Sequence, residues 1–128
     1  MDNIGKIKTI SPLTWAYIGD AVYELYIRKH LIDTTNLKPN KLHKEAIKYV
    51  KAGAQAKILE TLQNNLTEEE KEVVRRSRNT QTHHLPKNAN STDYMYSTAF
   101  EGLIGYLYLT KQDERINEIL QKIFINDA

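Results

Sequence analysis

Two stretches of this chain are apolar almost all the way round a helix, and each carries a single acid. Leu13, Trp15, Ala16, Tyr17, Ile18, Ala21, Val22 and Tyr23 surround Asp20; Tyr96, Ala99, Phe100, Leu103, Ile104, Tyr106, Leu107, Tyr108 and Leu109 surround Glu101. A helix that is apolar on most sides belongs inside a fold, so these two segments are expected to pack at its centre. A carboxylate placed there is costly unless it is paired, hydrogen-bonded or bound to a metal. Gly19 precedes Asp20, and Gly102 and Gly105 follow Glu101. Small residues at those points let helix backbones approach closely. If the two helices meet, two anions face each other and call for a cation between them.

The rest of the chain also reads as helix. Few stretches alternate with a period of two, so the expected fold class is all-α: a compact helical bundle forming one domain over residues 1–128. Ser11-Pro12 starts the first long helix, running from about Leu13 to about Leu31. Thr34 to Asn36 read as a polar break. Pro39 opens an amphipathic stretch through Leu42, Ala46, Ile47, Val50, Ala54, Ile58, Leu59 and Leu62, where Gly53 is a candidate split point. Thr67 and Glu70 make a capping box for a helix that ends in Arg75, Arg76 and Arg78, with acids at its positive end and cations at its negative end. A polar loop from Asn79 to Thr92 follows, containing Pro86. The helix bearing Glu101 then starts near Thr92 or Tyr94, and a last amphipathic helix starts near Asp113, using Ile116, Ile119, Leu120, Ile123 and Phe124.

Composition narrows the chemistry. The chain has no cysteine, which excludes disulfides and thiolate metal sites. No apolar run approaches the roughly 20 residues needed to span a bilayer, and no basic-then-apolar leader opens the sequence, so a soluble cytoplasmic protein with no membrane partner is expected. The formal charge of +2 does not by itself point to nucleic acid. Its distribution is more telling: between Lys71 and Lys87 the cations Lys71, Arg75, Arg76, Arg78 and Lys87 face the single acid Glu72. A basic segment on a near-neutral body suits a surface that follows phosphates, although a solvated charged loop has the same composition.

Asp20 and Glu101 offer hard oxygen donors and nothing soft, which suits Mg²⁺ or, as a substitute, Mn²⁺. The alternative is that each carboxylate is neutralised internally, by Arg28 or a tyrosine hydroxyl. Glu24 lies one turn after Asp20 and is read as the ion-pair partner of Arg28 rather than a third ligand. The adjacent His83 and His84 are read as solvated or phosphate-contacting, and most of the tyrosines as packing residues. Only Tyr94 stands where a ring could stack beside the basic loop. No nucleophilic triad, phosphate-cradling glycine loop or dinucleotide fingerprint is present.

The residues around the two acids resemble a known family. Ala16-Tyr17-Ile18-Gly19-Asp20-Ala21-Val22 is similar to the signature of the ribonuclease III catalytic domain, and Ser97-Thr98-Ala99-Phe100-Glu101-Gly102-Leu103-Ile104-Gly105 to its second motif. The likeness spans essentially the whole chain and leaves no length for the double-stranded-RNA-binding domain that usually follows. In that respect, and in its Pro86-Lys87-Asn88 loop, the chain resembles the Mini-ribonuclease III group of Gram-positive bacteria. Two acids of the larger enzymes are replaced, at Ala16 and Thr98, so only Asp20 and Glu101 carry over as acidic site residues.

The resemblance implies a ribonuclease III-like helical bundle acting as a homodimer. It implies Mg²⁺-dependent hydrolysis of double-stranded RNA to 5′-phosphate and 3′-hydroxyl ends, with Asp20 and Glu101 as catalytic metal ligands. The expected substrate is the 23S ribosomal RNA precursor, with a ribosomal protein as a further partner. Arg75, Arg76, Arg78, Thr82, Lys87 and Asn88 are the expected RNA contacts. The competing expectation is a non-catalytic RNA-binding or ribosome-assembly factor on the same fold.

Overall fold

Ser11 and Pro12 do set the first long helix. The Ser11 hydroxyl accepts a hydrogen bond from the Leu13 amide at 3.2 Å, and Pro12 occupies the first helical position, where a missing N–H costs nothing. The computed structural model describes residues 4–80 and 91–126. Within them the helices are α1 (Ile4–Thr9), α2 (Pro12–Thr34), α3 (Pro39–Val50), α4 (Ala52–Leu62), α5 (Glu68–Asn79), α6 (Ser91–Leu109) and α7 (Asp113–Asn126). A single 3₁₀ turn, Gln63–Asn65, follows α4, and no strand occurs among the described residues. The all-α expectation holds.

Three boundaries differ from the sequence reading, each for a local reason. α2 continues to Thr34 because the residues that look like a break bond back to the helix: Thr34 Oγ1 donates to His30 O (2.8 Å) and Thr35 Oγ1 to Leu31 O (2.7 Å). The α3–α4 break falls at Lys51, whose extended backbone ends one helix and starts the next, while Gly53 lies inside the first turn of α4. The short α1 has no periodic signal of its own. Tertiary contacts hold it: Ile7 is fully buried, and its carbonyl accepts from the Trp15 indole at 2.9 Å.

The core is built around α6, packed against α2, α4 and α5. Tyr23 meets Phe100 edge-on at 4.9 Å and Trp15 meets Tyr106 at 5.1 Å, geometries that favour the aromatic quadrupoles. The capping box of α5 forms as expected, with Thr67 and Glu70 each bonding the other's backbone. Glu70 is buried and also takes a two-pronged pair from Arg115 of α7, which locks α7 onto α5.

One expectation fails. α6 is enclosed on most sides, but α2 is not: Tyr17 is 82 % exposed, Leu25 67 % and Ile32 64 %. The outer stripe of α2 is apolar, and no other described residue covers it. Asp20 lies towards that open side and is exposed, whereas Glu101 is half-buried.

Candidate metal-binding cleft between α2 and α6

Gly19 and Gly105 make this cleft possible. A methyl group at Gly19 would fall on the backbone carbonyl of Glu101, and one at Gly105 on the carbonyl of Trp15. The two helices therefore touch backbone to backbone, closer than any side chain permits. Asp20 follows Gly19 directly, and Glu101 lies four residues before Gly105. The closest point of the crossing thus coincides with the two acids.

Their carboxyl groups lie near enough for Asp20 to bear on the ionisation of Glu101. They open into a cleft of about 520 Å³ lined by Ala16, Tyr17, Asp20, Tyr94, Thr98 and Glu101, among others. Ala16 and Thr98, where the larger ribonucleases III carry acids, line the same space. Burial, then the hydrogen bond and negative charge of Asp20, push the Glu101 carboxyl up to about 8; a hydrogen bond from the Gln55 amide opposes them. Near neutral pH Glu101 is accordingly protonated in the metal-free protein.

A hard divalent cation fits this donor set. Among the described residues no group of three or more histidine, cysteine or acidic side chains gathers anywhere, so a cage of several protein ligands is absent. Mg²⁺ needs no such cage: it is held through one or two carboxylates, with waters and substrate phosphates completing its shell. Two acids lining one open cleft can supply such carboxylates.

The pH dependence of the metal-free protein follows. Glu101 binds its proton more tightly folded than unfolded, so its contribution to stability is fully present below 4.5 and falls as pH rises to about 8. Thermal melts in chelator are expected to show a melting temperature declining through that window, and Glu101→Gln should flatten the decline. Equal slopes in the two proteins would show that the carboxyl is unperturbed.

The other residues singled out by sequence are dispersed. Glu24 pairs with Arg28 at 3.4 Å on the surface, as read. Arg75 is exposed and grips Glu72 with two nitrogens. Arg76 is half-buried, its guanidinium lying 4.8 Å over the Trp15 ring and donating to Lys8 O at 3.1 Å, so it ties α5 to α1 and α2. Arg78 is half-buried beside Asn79. Between them, buried Ser77 packs on Gly102, next to Glu101, which sets the arginine-rich end of α5 against the middle of α6. Thr82, Lys87 and Asn88, with His83, His84 and Pro86, lie outside the described residues. Of the tyrosines read as packing groups, Tyr23 and Tyr106 are buried, but Tyr17 and Tyr108 are exposed.

Gln55 was not singled out from sequence, although a signal existed. It precedes Ile58, Leu59 and Leu62 by three, four and seven residues, a core-facing position where an apolar side chain is expected. It is 2 % exposed, and its Nε2 donates to the Val50 carbonyl at 2.8 Å.

This combination of helices, with two acids from separate motifs converging at a glycine-mediated crossing, is that of a ribonuclease III catalytic domain. The Ribonuclease III domain family matches residues 13–112, and the chain belongs to that family of endoribonucleases. Within it the chain groups with Mini-ribonuclease 3. The protein of that name from Symbiobacterium thermophilum is 50 % identical over 88 % of this chain and 87 % of its own length. That from Brevibacillus brevis is 52 % identical over 89 % and 85 %, and that from Staphylococcus aureus 44 % over 96 % and 95 %. A crystal structure of a protein from Fusobacterium nucleatum superposes with a TM-score of 0.85 at 32 % identity, covering 95 % of this chain and 98 % of that one.

Proposed function

We propose that this chain, as a single domain over residues 1–128, hydrolyses phosphodiester bonds in double-stranded RNA with Mg²⁺ (or Mn²⁺) held by Asp20 and Glu101. The observation that carries this reading is that both acids line one open cleft beside the close crossing of α2 and α6. When bound, the cation lowers the pKa of a coordinated water and neutralises charge on the phosphorus oxygens. The protein's share is positional. Asp20 and Glu101 would hold the ion where α2 crosses α6, and Glu101 would do so as the carboxylate, its proton released to solvent. Tyr94 and Tyr17 flank the space into which a ribose-phosphate strand would enter.

One acidic pair serves one strand, and cutting a duplex calls for a second pair. The exposed stripe of α2 supplies a surface for a second copy. Around Leu25 it borders a groove of about 710 Å³ lined also by Ile18, Tyr26, Tyr108 and Phe124. A two-fold dimer through this face would cover Tyr17, Leu25 and Ile32 and set two clefts on one RNA. No helix among the described residues is long and apolar enough to cross a membrane, and a cytoplasmic substrate fits the family. The 23S ribosomal RNA precursor, shaped by a ribosomal protein, is the substrate that the resemblance to Mini-ribonuclease III suggests.

Readout of an A-form duplex is by shape and backbone, so RNA affinity should depend steeply on salt. Arg75 and Arg78 of α5, with Thr82, Lys87 and Asn88, are the residues taken to contact phosphate, whereas Arg76 lies over Trp15 and donates to Lys8 O. Arg75→Ala with Arg78→Ala is expected to reduce the salt slope of RNA binding by about two. Arg76→Ala is expected to lower the melting temperature more than it changes that slope. An unaltered slope in the double variant would move the RNA surface elsewhere.

The deciding experiment incubates the protein with duplex RNA with and without Mg²⁺ and analyses the ends. Metal-dependent fragments bearing 5′-phosphate and 3′-hydroxyl groups are expected. Binding without cleavage at any Mg²⁺ or Mn²⁺ concentration would establish the non-catalytic alternative.

A further inference from the structure

The inner side of α3 is occupied by the core, and its outer side is a row of lysines. Leu42, Tyr49 and Val50 pack against the core and Ala46 is buried. From Lys38 to Lys51 five lysines stand against one acid, Glu45, and all five are exposed. Lys41, Lys44 and Lys48 recur at three and four residues, so at 3.6 residues per turn they share an arc of about 60°. Lys38 and Lys51 flank the helix at its two ends, and at 1.5 Å per residue the row is about 20 Å long. Among the described residues only Lys48 of the five forms an ion pair, with Glu45 at 2.9 Å. An exposed pair of that kind holds its lysine weakly.

The amino end of α3 shows that these cations do not serve the helix itself. Lys38 is the N-cap and makes no side-chain cap hydrogen bond, and the first turn holds Lys41 and no acid. A helix start favours a capping oxygen and negative charge, so lysines there act against the macrodipole. α5 follows the rule, with Thr67 and three glutamates at its start. A local conflict in an otherwise consistent fold points to function. The other end of the row approaches the cleft. Lys51 begins α4, whose Gly53 lies against Asp93 of α6, and the next residue, Tyr94, lines the α2–α6 cleft.

We propose that the lysine row of α3 is a phosphate-binding surface that carries the backbone of duplex RNA beyond the cleft. Lysine offers a mobile point charge without fixed geometry. Such charges, evenly spaced along a straight helix, suit an evenly charged backbone. Protein interfaces are depleted in lysine, and no apolar residue falls within the arc of Lys41, Lys44 and Lys48. The inference rests on the duplex-RNA reading and adds to it an element, α3, that supplies none of the contacts named there.

Lysine footprinting of the wild-type protein in Mg²⁺-free buffer tests it. The protein is acetylated with and without duplex RNA, and reaction at each lysine is read by mass spectrometry. Lys41, Lys44 and Lys48 are expected to lose most of their reactivity when RNA binds, while exposed Lys122 of α7 keeps its own. RNA binding that leaves the row reactive, or that protects Lys122 equally, overturns the proposal. Poly-glutamate is the parallel probe: protection by it and none by RNA would assign the row to an acidic protein, and also overturns the proposal. The triple variant Lys41→Gln, Lys44→Gln, Lys48→Gln is expected to bind duplex RNA about tenfold or more weakly, with a salt slope lower by about three. Its melting temperature should be unchanged, since all three side chains are exposed. An unaltered slope overturns the proposal. Failure of the wild type to bind duplex RNA at all removes the RNA reading and this surface with it, an outcome distinct from RNA bound over a reactive row.

Discussion

Asp20→Asn is expected to abolish RNA cleavage while leaving the fold and RNA binding intact. Asparagine keeps the size of the side chain, and the position is exposed, so no packing is lost. What disappears is half of the proposed acidic pair, and with it the charge that holds a cation against the scissile phosphate. Metal stabilisation of a phosphoryl-transfer transition state is worth several kcal/mol, so the loss in rate should be about a thousandfold or more. The same change has a second consequence that a merely damaging mutation would not have. Asp20 is one of the groups that push Glu101 up to about 8. Without it Glu101 ionises more readily, and the metal-free variant should be more stable than the wild type in alkaline buffer, where an ionised Glu101 would face a second negative charge. Single-turnover cleavage and thermal melts read the two effects. Retained turnover would remove Asp20 from the mechanism, and a variant less stable at alkaline pH would contradict the influence of Asp20 on Glu101.

Gly19→Ala should damage stability and activity together. The added methyl would fall on the Glu101 carbonyl, which is backbone inside a helix and cannot rotate away. Relief requires α2 and α6 to separate along the crossing that supports the core. Overpacking of this kind typically costs 1–3 kcal/mol and here should reach the upper end, about 3 kcal/mol, or roughly 10 °C in melting temperature. Moving the helices apart also separates Asp20 from Glu101, so cleavage should fall even at temperatures where the variant is folded. Gly53→Ala is the control. Its methyl would meet only Asp93 Oδ2, at an ordinary 3.4 Å, inside a helix where alanine is preferred. That variant is expected to be neutral or stabilised by up to about 1 kcal/mol, with activity unchanged. A Gly19→Ala protein as stable and as active as Gly53→Ala would mean that the close crossing is not what aligns the acids.

Much of this arrangement can be read from the sequence because its causes are local or periodic. The apolar segments around Asp20 and Glu101 mark the central helices, Gly19 and Gly105 mark their contact, and Thr67 with Glu70 marks the start of α5. What escapes depends on partners remote in the chain. α1 is helical because Ile7 and Lys8 meet Trp15 and Arg76. Arg76 reads as a free cation in a basic run, yet its charge lies over the indole of Trp15, in the first turn of α2. Asp20 reads as enclosed because composition reports how apolar a helix is and not whether another chain is needed to cover it. Gln55 lies on a face that the amphipathic pattern assigns to the core, and only the α3–α4 break shows that its amide serves the Val50 carbonyl.

The central claim is that Asp20 and Glu101 jointly hold one divalent cation, and crystals soaked in Mn²⁺ test it most directly. Anomalous scattering should show a peak in the α2–α6 cleft, within ligand distance of both carboxylates, and Asp20→Asn crystals treated identically should lack it. A peak bound elsewhere, or one in the cleft that survives Asp20→Asn, would contradict the account.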